Sequence, residues 1–220
     1  MTYTGDVRVG GPSDTRELDG LTVTKIAVGP MDNNAYLLRC TSTGQAILID
    51  AANEADRLIE MIGEVPVGVI VTTHRHSDHW QALPELQKHT GAEVAAHPAD
   101  ADFLPVSVTR RVEHGEVLQF GDAAVSFVHL RGHTPGSVAV LYDAGGRLAG
   151  GPHVFTGDSL FPGGVGRTTS PEDFTSLLTD VTDRLFGPLP DPAWVYPGHG
   201  KDTTLGTERP HLAEWRARGW

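Results

Sequence analysis

Between residues 74 and 79 the chain places three histidines and an aspartate, in the run Thr73-His74-Arg75-His76-Ser77-Asp78-His79. Imidazole and carboxylate are the side chains of metal ligation and of acid–base chemistry near neutral pH. His74 and His76 lie two apart at the end of the apolar run Val67–Thr73, so both rings can project to one side. Asp78 and His79 follow at the turn into the next element. Three further candidates each sit just past an apolar run: His133 in Gly132-His133-Thr134-Pro135-Gly136, Asp158 in Thr156-Gly157-Asp158-Ser159, and His199 in Pro197-Gly198-His199-Gly200. Their flanking glycines let the backbone turn sharply and approach closely. A single tetrahedral zinc needs fewer ligands than these five histidines and two aspartates offer. With one shared carboxylate they suit two divalent ions about 3.5–4 Å apart, the arrangement of two-metal hydrolases. Zinc fits this donor set first, and imidazole serves iron and manganese as well.

Strand ends must deliver these residues to a common rim, and the apolar pattern supplies strands. Leu21–Gly29 alternates with period two, Ala35–Cys40 and Gln45–Ala51 follow across the turn Thr41-Ser42-Thr43-Gly44, and Val67–Thr73 is a continuous β-branched run. An amphipathic helix is predicted over Asn53–Glu64, with Ala55, Leu58, Ile59 and Ile62 as its apolar stripe and Asn53 as N-cap. A second helix is expected between His79 and Gly91, then the strand Glu93–His97. Gly121-Asp122 reads as the turn of a hairpin between Val117–Phe120 and Ala124–Leu130. Ser137–Tyr142, His153–Gly157 and Ala193–Gly198 complete the strands. A helix over Pro171–Phe186 carries Ser170 at its N-cap and acidic residues in its first turn. Residues 1–18 are expected as a loose arm or short edge strand, and 205–220 as a tail whose final short helix docks Trp215 and Trp220 or closes a substrate pocket. Two sheets packed face to face with helices outside, in one domain spanning 1–220, satisfy this order.

The chain has 220 residues, a hydrophobic fraction of 39% and a formal net charge of −11. The acidic balance opposes binding to nucleic acid, whose phosphates attract lysine and arginine. No apolar run approaches the ~20 residues of a membrane span. The opening residues carry no apolar stretch of the kind a secretory signal needs. Cys40 is the only cysteine, which excludes an internal disulfide and fits a cytoplasmic location. Eleven histidines are roughly twice average usage. Oligomeric state is not legible.

In order and spacing, THRHSDH, GHTPGS, FTGDSLF and YPGHG resemble the metallo-β-lactamase superfamily, and most of all its glyoxalase II (hydroxyacylglutathione hydrolase) branch. The match runs from about Leu21 to about Thr204. The resemblance implies an α+β fold, a four-layer αββα sandwich with its site at the upper edges of the sheets. It implies a first metal on His74, His76 and His133, a second on Asp78, His79 and His199, and Asp158 as bridge. A hydroxide shared by the two ions would attack the carbonyl of a small acyl thioester or ester, with Asp78 as the catalytic residue that orients it. Some β-lactamases carry a cysteine where Asp158 stands, which argues against β-lactams as the main substrate. The glutathione contacts of glyoxalase II's C-terminal helical domain cannot be carried over, because the chain ends 16 residues past Thr204. Two rivals share the motifs: a persulfide dioxygenase with one iron on His74, His133 and Asp158, and a lactone or ester hydrolase. Of the other histidines, His129 and His153 lie near motif positions. Arg167 and Tyr196 are near the rim, where a structural salt bridge and a packed ring are expected ahead of substrate contact, and Cys40 reads as a packed core residue.

Overall fold

Alternating and continuous apolar strands build one sheet from the first half of the chain. A computed structural model describes residues 3–146, 148 and 150–219. The first sheet has seven strands in chain order: β1 (Asp14–Leu18), β2 (Leu21–Val28), β3 (Asn33–Cys40), β4 (Ala46–Ile49), β5 (Val67–Val71), β6 (Glu93–Ala96) and β7 (Arg110–Arg111). The early hairpins make β1 to β4 antiparallel. From β4 to β7 the strands run parallel, as helical crossovers require. Those crossovers are α1 (Ala55–Ile62), α2 (Leu83–Thr90) and the single turn α3 (Pro98–Ala101).

The second sheet has β8 (Val117–Phe120), β9 (Ala123–His129), β10 (Val138–Tyr142) and β11 (His153–Gly157) in antiparallel sequence. A small hairpin, β12 (Leu160–Phe161) and β13 (Gly164–Val165), leads to α4 (Pro171–Val181). Strand β14 (Trp194–Pro197) returns parallel to β11, with β15 (Thr203–Thr204) at its outer side. Two short helices, α5 (Leu205–Glu208) and α6 (Leu212–Arg218), close the described chain.

Three apolar layers hold this together. Between the sheets lie Leu38, Ile47, Phe127, Phe155 and Tyr196. Leu58 and Ile62 of α1 and Leu83 and Leu86 of α2 cover the outer face of the first sheet. Leu177, Leu178 and Val181 of α4, with Trp215 of α6, cover the second. The result is the four-layer αββα sandwich of a single domain. Among the described residues no helix is long and apolar enough to cross a membrane.

Several local expectations change. Of the two forms expected for residues 1–18, Asp14–Leu18 takes the edge strand, and Tyr3 is tethered to Asp202 by a 2.7 Å hydrogen bond. Asn53 does not cap α1. Its amide donates to Gln81 at 2.6 Å, Glu54 takes the cap position at φ 48°, and the Glu54 carboxylate receives the Gly29 amide. Tertiary partners therefore outbid the local cap. Ser170 does cap α4, accepting from the Asp173 amide at 3.1 Å. The predicted extension to Phe186 leaves α-geometry after Val181 and widens into a π-helical turn. Trp215 is buried against Phe186, whereas Trp220 lies outside the described residues. Tyr196 is the packed ring expected: it is buried, stacked on Phe155.

Candidate metal centre

Strand β5 ends at Val71, and the next two residues are buried threonines. Thr73 donates both its backbone N–H and its hydroxyl to the carboxylate of Asp50, each at 2.8 Å. Asp50 follows β4 directly, in left-handed backbone at φ 58°, and it also receives Nδ1–H of His79 at 2.8 Å. One buried carboxylate thus anchors both ends of the run that carries His74 and His79. Asp78 and His79 lie in a 3₁₀ turn over Ser77–His79.

The hydrogen bonds then decide which ring nitrogens are left for the site. A carboxylate or carbonyl oxygen can only accept, so each nitrogen that faces one must carry the proton. His79 gives Nδ1–H to Asp50, His133 gives it to the Arg167 carbonyl at 2.7 Å, and His199 gives it to the Met31 carbonyl at 2.8 Å. Thr73 has already committed its hydroxyl proton to Asp50, so it accepts from His74 Nδ1 at 3.0 Å. Four rings therefore turn Nε2 inward, the orientation that outer partners impose on metal-binding histidines. His76 presents Nδ1.

Those nitrogens approach one another closely. His74 Nε2 and His133 Nε2 are 3.2 Å apart, His76 Nδ1 and His133 Nε2 2.9 Å, and His79 Nε2 and His199 Nε2 3.2 Å. Asp158 lies 3.4 Å from His79 and His199 and 3.6 Å from His133. Asp78 lies 3.4 Å from His79 and His199. The edge of a tetrahedron with metal–nitrogen bonds of 2.0–2.1 Å is about 3.3 Å, so these separations fit cations. Asp158 Oδ1 is buried without a hydrogen-bond partner among the described residues, which is a demand a cation meets. His74, His76 and His133 form one cluster, Asp78, His79 and His199 another, and Asp158 joins His74 and His79 in a third that links them. All seven residues singled out from the sequence are therefore brought to one place.

The electrostatics of the surrounding side chains divide the rings. Burial opposes charge on His79, but Asp50 and Asp158 outweigh it and push its pKa up to about 10. His199 is only half-buried; desolvation opposes its charge, and Asp158 and Asp78 push it up to about 10. Burial, and after it the charge of His79, holds His74 well below the usual imidazole value. Burial lowers His76 and His133 as well. The hydrogen bond with His199 holds Asp78 far below the usual carboxylate range. Asp158 is also held below that range, because His199 and His79 overcome its desolvation.

Several supporting residues carried no signal in the motifs. Asn33 donates to Asp78 at 2.9 Å. Buried Asp100 accepts from the amides of Arg75 and Gly136, each at 3.0 Å, and from the Thr134 hydroxyl, so it ties the His76 loop to the His133 loop. Asp50 could have been found, since it ends the apolar strand Ala46–Ile49 as Asp158 ends β11. Gly198 is required by close approach: a Cβ there would lie 2.2 Å from Asp158 Oδ1. His129 and His153 belong to neither cluster. His129 donates to the Pro135 carbonyl, and His153 meets the Tyr196 hydroxyl in the core at 2.8 Å. Cys40 is buried away from the rings. Beside His76 and His133 opens a cavity of about 640 Å³, lined also by Val165, Arg167, Phe174 and Arg218.

Comparison with known proteins identifies the family and the fold. The model of the metallo-beta-lactamase superfamily matches residues 28–199. Hydroxyacylglutathione hydrolase GloC of Haemophilus influenzae is 32% identical over 185 residues, 74% of this chain and 84% of that protein. Among solved structures, TTHA1623 in a di-iron-bound form is 32% identical, with a TM-score of 0.69 over 84% of this chain and 96% of that one. The BLEG-1 B3 metallo-beta-lactamase is 27% identical, with a TM-score of 0.75 over 87% of this chain and 98% of that one.

Proposed function

Because the chain belongs to the metallo-β-lactamase superfamily, we propose that it is a dinuclear metal-dependent hydrolase of glyoxalase II type, cleaving a small acyl thioester. The observation that carries this reading is the convergence of seven candidate ligands, in two clusters linked by Asp158. These residues would hold two divalent ions, whose chemistry there would be to polarise a substrate carbonyl and to acidify a water to near neutrality. Zinc is our first choice for the imidazole and carboxylate donors, with iron and manganese as alternatives.

The chain's own residues do the rest. Asp78 is the proposed catalytic residue: it is ionised at every pH of interest, fixed by Asn33, and partly open to solvent. A carboxylate so held orients a water by accepting its proton in a hydrogen bond. Asp50, Met31 and Arg167 keep the ligating rings in one tautomer, so no ring must turn during the reaction. The cavity beside His76 and His133 would receive the substrate, its carbon chain against Val165 and Phe174 and any anionic group near Arg167 and Arg218.

The relatives support the thioester: GloC is named as a hydroxyacylglutathione hydrolase. A lactone or other ester would meet the same groups. The mononuclear iron dioxygenase would need only His74, His133 and Asp158, and the intact second cluster of Asp78, His79 and His199 counts against it. Elemental analysis of protein purified without added metal, read beside turnover of S-lactoylglutathione, tests the proposal. Two metals per chain with thioester cleavage are expected. One iron with oxygen uptake on glutathione persulfide, and no thioester cleavage, overturns it. Two metals without thioester cleavage would move the substrate to lactones and esters.

A further inference from the structure

Lys25 is fully buried, an uncommon place for a lysine. Its position follows from strand periodicity, since Leu21, Val23 and Lys25 share the inward face of β2. Nζ uses all three of its donors: on the carbonyls of Gly5 and Gly200, each at 2.8 Å, and on Asp202 Oδ1 at 2.7 Å. The Asp202 side chain is 3% exposed, and its other oxygen accepts from the Tyr3 hydroxyl at 2.7 Å and from Trp194 Nε1 at 3.0 Å. Gly5 fits against it only as glycine. Its φ is +68°, and a Cβ would lie 2.3 Å from Asp202 Oδ2.

All of this converges on the loop that carries His199. The Gly200 carbonyl bonds both Lys25 and the Asn34 side chain, the latter at 3.0 Å. The Pro197 carbonyl accepts from Asn34 and, at 2.6 Å, from the Tyr36 hydroxyl, and the Gly198 carbonyl accepts from the Asn34 amide at 2.7 Å. The loop is thus suspended by its carbonyls on both sides of the ligand. Burying an ion pair is a poor way to gain stability, because a packed apolar side chain commonly does as well or better. Its gain is directional: an ammonium with three fixed acceptors sets where Gly200 sits, and so where His199 points.

We propose that Lys25, Asp202 and the segment Tyr3–Gly5 form a positioning clamp for His199, so that metal occupancy of the Asp78–His79–His199 cluster depends on residues that never touch the metal. Its metal readout rests on the dinuclear reading above. The second readout, amide exchange in metal-free protein, does not.

The test titrates zinc into chelator-stripped full chain in competition with a chromophoric chelator. His199→Ala identifies the equivalent that belongs to the second cluster. Lys25→Met leaves Asp202 unpaired and can impair folding, so the deciding variant is Lys25→Met/Asp202→Asn, which removes both charges together. It is expected to weaken that equivalent at least tenfold and to leave the other within twofold. Tyr3→Phe, which removes one hydrogen bond, weakens it about threefold. In the stripped double variant the Gly198 amide, which donates to Gly157 at 2.8 Å, exchanges at least tenfold faster than in wild type, while amides of β5 and β10 do not. Unchanged zinc binding with unchanged exchange at residues 197–200 overturns the proposal. So does equal loss at both equivalents with exchange raised throughout, since that is only loss of stability. If the wild type takes up a single zinc, the dinuclear reading fails, and exchange at Gly198 alone decides for or against the clamp.

Discussion

Asp50 shows how much of a candidate metal site lies one hydrogen bond behind the side chains that would ligate. It holds Thr73 through two hydrogen bonds and fixes the proton of His79 on Nδ1. Outer partners of ligating histidines typically contribute 10–100-fold in metal affinity. Asp50→Asn keeps the shape but can donate to Nδ1, allowing the wrong tautomer. We expect it to lose one metal equivalent by about that factor, measured by zinc competition, with the first cluster less affected. His153 gives a second prediction at this scale. Burial and then Arg16 push its pKa down to about 4, from an ordinary 6.5. As the pH falls below about 6.5, the unfolded chain takes a proton that the folded chain refuses, so this group's share of stability is full above that pH and is lost toward about 4. The loss amounts to up to about 3 kcal/mol. His153→Gln should show a flatter fall of the urea midpoint between pH 7 and 4 than wild type. An identical slope would refute the assignment.

Elements were legible where local chemistry and tertiary packing agree. Helix α4 has its cap, its acidic first turn and its apolar face all in register, and it begins where expected. Ser170→Ala should cost about 1 kcal/mol and lower Tm by about 2–4 °C for a chain of this size. Calorimetry on metal-loaded protein checks this, and metal content should not move. Helix α1 was displaced because Asn53 and Glu54 find partners on Gln81 and Gly29, contacts that no periodicity reveals. The tail divides in the same way. Trp215 docks on α4's neighbour Phe186, while Arg218 reaches the rim of the cavity beside His133.

Across the whole molecule each cluster draws on both sheets. His74, His76, Asp78 and His79 follow β5 of the first, whereas His133, Asp158 and His199 follow β9, β11 and β14 of the second. A metal held there would therefore cross-link the two halves of the sandwich and favour the folded state by mass action. An ion present at a thousandfold its Kd contributes about 4 kcal/mol, or about 8–16 °C of Tm for a chain of this size. Chelation should lower Tm by that order and zinc should restore it. A melting temperature indifferent to chelator would mean that the seven side chains hold no metal.

The sequence by itself determined the set of candidate ligands, the strand–loop rhythm that delivers it and the sandwich that follows. These rest on residue type and short-range spacing, which folding does not alter. Only the tertiary structure decided what surrounds the ligands. Asp50, Asn33, Asp100 and Lys25 act through side-chain hydrogen bonds to residues distant in the chain, and such bonds leave no period and no motif. A buried charge on a strand reads as an exception until its partners, brought in from the chain's two ends, are seen to require it.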